Sequence, residues 1–101
     1  MNENRERASS SVQVDNDHVK VTEWRFSPDA ETGWHRHEYD YVIVPVTSGN
    51  LELIGPDGAH TAFLTAGQSY FRNAGVEHNV INGSGGDFAF VEIELKSRAS
   101  L

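Results

Sequence analysis

Apolar and polar residues alternate along most of this chain, and the period is two. The segments "VQV" (Val12 to Val14) and "VKVTEWRF" (Val19 to Phe26) both alternate. In the second, Val19 and Val21 share one face while Trp24 and Phe26 share the other. That slip of phase near Thr22 and Glu23 predicts a bulge, or a strand covered on both sides. Tyr41 to Val46 reads as another strand, followed by a turn at "TSGN". "LELI" then meets "GPDG" at Gly55 to Gly58, a strong hairpin signal, and "HTAFL" answers it. "TAG" at Thr65 to Gly67 turns the chain again. "QSYFR", "HNVI" and "FAFVEIEL" supply three more strands, with "NGSGGD" (Asn82 to Asp87) between the last two. No segment keeps a helical period, and no repeat is present. About eight short strands separated by glycine turns predict an all-β sandwich or barrel.

The ends carry little apolar content. Residues 1–10 read as a flexible arm, 11–97 as one domain and 98–101 as a loose tail. A length of 101 residues suits one domain with one core. There is no cysteine, which excludes disulfides, thiolate zinc sites and a cysteine nucleophile. The net charge of −7 repels phosphate backbones, so nucleic acid is not an expected partner. No apolar run approaches the roughly 20 residues of a membrane span. The stretch "MNENRERASSS" has no apolar centre and does not read as a signal peptide, so a cytoplasmic location is expected.

The candidate chemistry begins at "TGWHRHEYDYVIVPVTSG", Thr32 to Gly49. Residues two apart on a strand point to the same face, so His35 and His37 aim their rings into one space. If that face is a barrel interior, two imidazoles converge at a spacing suited to one metal ion. Downstream, "GQSYFRNAGVEHNVIN" runs from Gly67 to Asn82. It places a glycine at Gly67, a second at Gly75, a histidine at His78 and an asparagine at Asn82. These two linked stretches resemble the two motifs of the cupin superfamily. The second fits at Gly67, Gly75, His78 and Asn82, with Asn73 where proline is usual. The first fits at His35, His37 and Gly49, with its leading glycine displaced. The likeness covers about Val19 to Lys96 and is similar to small single-domain cupins, some of them associated with β-alanine utilisation.

The resemblance implies an all-β double-stranded β-helix, a jelly-roll cupin barrel. It also implies that His35, His37 and His78 bind one divalent transition metal: iron, nickel, zinc, copper or manganese. The family's fourth ligand is a glutamate. Counting back from Gly49 places Val42 there, which cannot bind metal. Asp40 shares the strand parity of Val42 and is the candidate fourth ligand; Glu38 shares it too but directly follows His37. Tyr41 sits at the alternative glutamate spacing. A three-histidine site, one completed by Asp40, and a site without metal all remain open.

The family pattern also points Tyr70 and Arg72 inward, as candidate catalytic or binding residues. An inward arginine needs an anion: Glu23, Asp40 or a substrate carboxylate. The resemblance therefore implies a small carboxylate ligand, with oxygenase, isomerase or lyase chemistry, or plain ligand binding, all compatible. Homodimers are expected, through the strand at Val12 to Val14. Trp24, Phe26, Phe63, Phe71, Phe88, Phe90 and Val91 are read as packing, Trp34 as pointing away from the metal. Glu77 is a candidate hydrogen-bond acceptor for His78, Asn82 a turn-holding residue, and His18 and His60 surface residues.

Overall fold

The computed structural model describes residues 5–96, and among these the regular structure is all strand. In chain order the strands are β1 (Ser9–Asp15), β2 (Val19–Phe26), β3 (His35–Arg36), β4 (Asp40–Pro45), β5 (Gly49–Gly55), β6 (Gly58–Leu64), β7 (Tyr70–Arg72), β8 (Glu77–Asn82) and β9 (Phe88–Leu95). They form two antiparallel sheets, ordered β1-β2-β9-β4-β7 and β3-β8-β5-β6. The expected strands all form. The added one is β3, which carries the first histidine. With no helix among the described residues, none is long and apolar enough to cross a membrane.

The two sheets bury one core. Phe26, Tyr41, Ile43, Leu51, Leu53, Val80, Phe88 and Phe90 fill it from five strands. Phe26 and Phe88 meet edge to face at 6.4 Å, and Phe26 lies 5.5 Å from Phe90. Each such side chain removed from water contributes about 1.5–3 kcal/mol before entropy is subtracted. Phe63 and Phe71, read as packing, instead stand 77% and 50% exposed. They lie on the outer faces of β6 and β7, each at the edge of its sheet.

Three local expectations resolve in register. The "GPDG" hairpin pairs Gly55 with Gly58 around Pro56 and Asp57, with Gly58 at φ 118°. The phase slip in β2 has its bulge in the partner strand: β1 shifts register between Val12 and Val14, opposite Thr22 and Val21. β2 itself stays regular against β9, and Thr22, Trp24 and Phe26 share its inward face. Part of the arm expected over residues 1–10 is held in place. Ala8 N–H donates to Glu31 O, Glu31 N–H donates to Glu6 O, and β1 begins at Ser9. Residues 1–4 of that arm, and the tail 98–101, lie outside the described residues.

Asn82 closes the end of β8. It is fully buried, and its Nδ2 donates to Gly86 O at 2.7 Å and Ser27 O at 3.1 Å. Its Oδ1 accepts from Ser84 N at 3.0 Å and Ser84 Oγ at 2.6 Å. One side chain thus satisfies the "NGSGGD" loop and the loop after β2. Gly49 packs against the same place: a methyl group there would lie 2.8 Å from Ser84 Cβ and 3.0 Å from Phe88. Replacing Asn82 with Ala strands several buried backbone groups at once. The expected cost is about 2–4 kcal/mol in urea denaturation; a loss under about 0.5 kcal/mol, the range of neutral surface changes, would show that water takes over the role of the amide.

Candidate metal centre

The three motif histidines are brought together by strand pairing. His35 on β3 is the register partner of His78 on β8, and Arg36 pairs with Glu77. The chain beyond β3 stays zipped to the same neighbour, with His37 N–H donating to Val76 O and Gly75 N–H to His37 O. Directly opposed residues on antiparallel strands hold their Cβ atoms about 4.5–5.5 Å apart, so the rings of 35 and 78 must meet. The turn that lets β8 start there needs Gly75, at φ 97°.

The ring nitrogens converge. His35 Nε2 lies 3.1 Å from His37 Nε2, which lies 3.2 Å from His78 Nε2. Nitrogens bound to one ion at about 2.1 Å stand roughly 3.0–3.4 Å apart along octahedral or tetrahedral edges, so the separations fit a single metal. The tautomer of His35 fits as well. Its Nδ1 sits 2.9 Å from the Gly33 carbonyl, which only accepts, so Nδ1 carries the proton and the Nε2 lone pair faces the cluster. Thr32 Oγ1 lies 3.3 Å from the same Nδ1. The Gly33 carbonyl is itself held, because Asn79 Oδ1 accepts Gly33 N–H at 2.9 Å while Asn79 Nδ2 donates to Glu31 at 2.8 Å. Outer hydrogen bonds of this kind orient a metal-binding imidazole.

Burial prepares the rings for metal. His37 is 5% exposed. Loss of water, then the neighbouring His35 and His78, lowers its pKa to about 3. Burial, then His35 and Arg72, lowers that of His78 to about 4. Both are therefore neutral at pH 7, the state a metal needs.

The fourth position departs from expectation. Asp40 is not brought to the histidines; its Oδ1 accepts Ala74 N–H at 2.8 Å and so fastens the turn before β8. The parity of β4 is the reverse of that supposed: Tyr41, Ile43 and Pro45 are buried, and Val42 faces away. Tyr41 fills the place, its ring stacked on His37 at 3.8 Å and 17°. Burial raises its pKa, so the phenol keeps its proton and is a poor ligand.

The nearby carboxylates come from β9. Glu92 Oε2 is 3.8 Å from His37 Nδ1, and His37, Glu92 and Glu94 form a second cluster whose ligand atoms lie within 4.8 Å. Burial and the adjacent Glu94 raise the pKa of Glu92 to about 7. With His37 neutral, the pair is not an ion pair. Sequence reasoning missed both acids, although "FAFVEIEL" carries the signal: Phe88, Phe90, Glu92 and Glu94 occupy one face.

A cavity of about 300 Å³ lies over the three histidines. Its wall includes Thr22, Trp24, Tyr41, Tyr70, Arg72, Glu92 and Glu94. Tyr70 and Arg72 thus reach the expected space, but Arg72 is exposed at the mouth, not buried in an ion pair. Its guanidinium stacks 4.9 Å above the Tyr70 ring and makes no ion pair among the described residues with Glu23, Asp40 or any other acid; Glu23 pairs with Arg25. Arg36 and Lys20 also line this cavity. Glu77, His18, His60 and Trp34 are exposed, Trp34 by 54%.

Protonation gives a test on metal-free protein. His37 and His78 take up protons below pH 6.5 in the unfolded chain but only near 3 and 4 when folded, so each removes stability as pH falls below 6.5. Glu92 acts in the opposite sense, binding its proton near 7 when folded and near 4.5 when unfolded, so it adds stability as pH falls through that window. Each contributes at most about 1.4 kcal/mol per pH unit. The expected Tm declines gently from pH 6.5 to 4.5, and Glu92→Gln makes that decline steeper. An unchanged slope in the variant would place Glu92 in water.

With the geometry in hand, the likeness to known proteins is specific. A family model described as Cupin_2, cupin domain, matches residues 22–94. The β-alanine degradation protein BauB of Pseudomonas aeruginosa is 61% identical over 92 residues, covering 91% of this chain and 97% of that protein. The crystal structure of a cupin domain from Bordetella pertussis superposes with a TM-score of 0.90 at 60% identity, over 92% of this chain and 97% of that one. A Klebsiella pneumoniae protein with a double-stranded β-helix domain reaches 0.75 at 22% identity, over 93% and 81% of the two chains, and speaks for the fold alone.

Proposed function

The chain belongs to the cupin family, its barrel is a double-stranded β-helix, and from that premise we propose a small metal-binding cupin with a carboxylate ligand. In this reading His35, His37 and His78 hold one divalent transition metal, and a small carboxylate binds in the cavity between that site and Arg72. The observation that carries it is the convergence of three imidazoles, with Nε2 separations of 3.1 and 3.2 Å, on one cavity. Imidazole donors suit iron, nickel, copper or zinc, and manganese completes the set of five to be tested. A metal there supplies a Lewis acid. The protein's own part is to bind and orient: Arg72 pairs with no acid among the described residues, and its guanidinium lies over the Tyr70 ring at the cavity's edge.

The relative named for β-alanine degradation supports a role in β-alanine-related catabolism. A homodimer belongs to the same reading. β1 is an edge strand exposed along its length, and Val12 and Val14 are 54% and 43% open. A second copy is the natural cover for such an edge.

The test uses untagged protein reconstituted with each of the five metals. About one equivalent per chain is expected by elemental analysis. His35→Ala and His78→Ala should lose the metal while keeping the metal-free barrel folded; no metal in the parent, or unfolded variants, overturns the assignment. For the ligand, calorimetric titration of small carboxylates should show Arg72→Lys weaker by about 1–3 kcal/mol, since lysine keeps the charge and loses the two-pronged contact. Equal affinities would make Arg72 architectural.

A further inference from the structure

The registers of β2, β9, β4 and β7 arrange the cavity wall in rows. Glu94 pairs with Lys20 on one side and Tyr41 on the other, and Tyr41 pairs with Arg72. One row deeper, Glu92 pairs with Thr22 and Ile43, and Ile43 with Tyr70. Deeper again, Phe90 pairs with Trp24 and Pro45. The inner row is apolar. The outer two place carboxylates on β9 and a guanidinium two strands away on β7, about 9–10 Å apart at the backbone.

These charges are not used within the protein. Among the described residues Glu92 and Glu94 make no hydrogen bond and no ion pair with a lysine or arginine, and Lys20, although in register with Glu94, lies beyond ion-pair distance. The buried His37 presents Nδ1 to the same space, with Glu92 Oε2 at 3.8 Å, too far for a hydrogen bond. Two carboxylates therefore surround a gap that a hydrogen-bond donor of positive charge would fill.

We infer that the cavity selects a small zwitterion, a short ω-amino acid whose ammonium group sits between Glu92 and Glu94 while its carboxylate reaches toward Arg72. This rests on the carboxylate reading above and adds the amino group: the chain takes its ligand before nitrogen is removed. A metal in the acidic gap is the poorer occupant. When the Nε2 atom of a neutral imidazole is committed to the histidine cluster, its Nδ1 carries the proton and cannot ligate a second ion.

The experiment is calorimetric titration of zinc-reconstituted protein with β-alanine and with propionate, which lacks only the amine. Zinc content is measured for every variant. β-Alanine is expected to bind at least tenfold more tightly. Glu94→Gln, which lies outside the three-histidine cluster, should narrow that preference to under threefold while propionate binds as well as before or better. Propionate binding as tightly as β-alanine in the parent overturns the ammonium subsite and leaves the carboxylate reading standing. A Glu94→Gln variant that keeps the full preference also overturns the subsite. So does a second zinc per chain that this variant loses, because the gap then belongs to an ion. Binding of neither compound overturns both the subsite and the carboxylate reading beneath it.

Discussion

Everything in the cavity depends on the register of β9. This strand is paired on both sides, with β2 over eight residues and with β4 over six. Because side chains alternate, one face of β9 must carry Phe88, Phe90, Glu92 and Glu94 together. The two phenylalanines are locked into the core with Phe26, and that packing fixes where the two glutamates go. A slip by one residue would expose the aromatics and turn the acids outward, so the core enforces the placement of groups that would themselves prefer water. The cost falls on the acids, and it is visible in Glu92, whose burial raises its pKa to about 7.

The same bargain holds at the histidines. Strand pairing of β3 with β8 puts rings 35 and 78 opposite each other, and burial drives His37 and His78 to the neutral state. The backbone around the rings is engaged: His37 N–H, Gly75 N–H and the Gly33 carbonyl all have fixed partners. A cluster held this firmly is preorganised.

Much of this was legible beforehand, and the failures have physical causes. Period-two alternation and glycine turns located the strands. The two histidine motifs, at their linked spacing, located the cluster. Tyr70 and Arg72 reached the cavity as their alternation required. The parity of β4 was misjudged because the family spacing counted back from Gly49 lands on Val42, whereas the alternation of β4 buries Tyr41, Ile43 and Pro45 and makes the alternative spacing at Tyr41 the inward one. Asp40 was then assigned to the metal when its real partner is a backbone N–H of a turn 34 residues away, a contact no local pattern announces. Glu92 and Glu94 were overlooked because motif reading stops at His78 and Asn82, while the last strand was read only for its apolar content. Phe63 and Phe71 failed for another reason: hydrophobicity alone does not say which face of an edge strand is covered.

The substitution at Tyr41 links these points. In the family pattern a glutamate joins the histidines from this strand; here a phenol stacks on His37, and the nearest acids stand one strand over, where Glu94 is the register partner of Tyr41 itself. One strand spacing, about 4.8 Å, separates Tyr41 from Glu94 and puts this carboxylate in the cavity wall. In the proposed metal site, three imidazole donors would leave the charge of a divalent ion undiminished, which would strengthen its hold on an anionic group, while the acids on β9 remain available to a positive one. On that reading the cavity has an anion-attracting end at the histidines and Arg72 and a cation-attracting end at β9. A ligand with both charges satisfies the two ends together, whereas a simple anion would leave the acids facing it at close range.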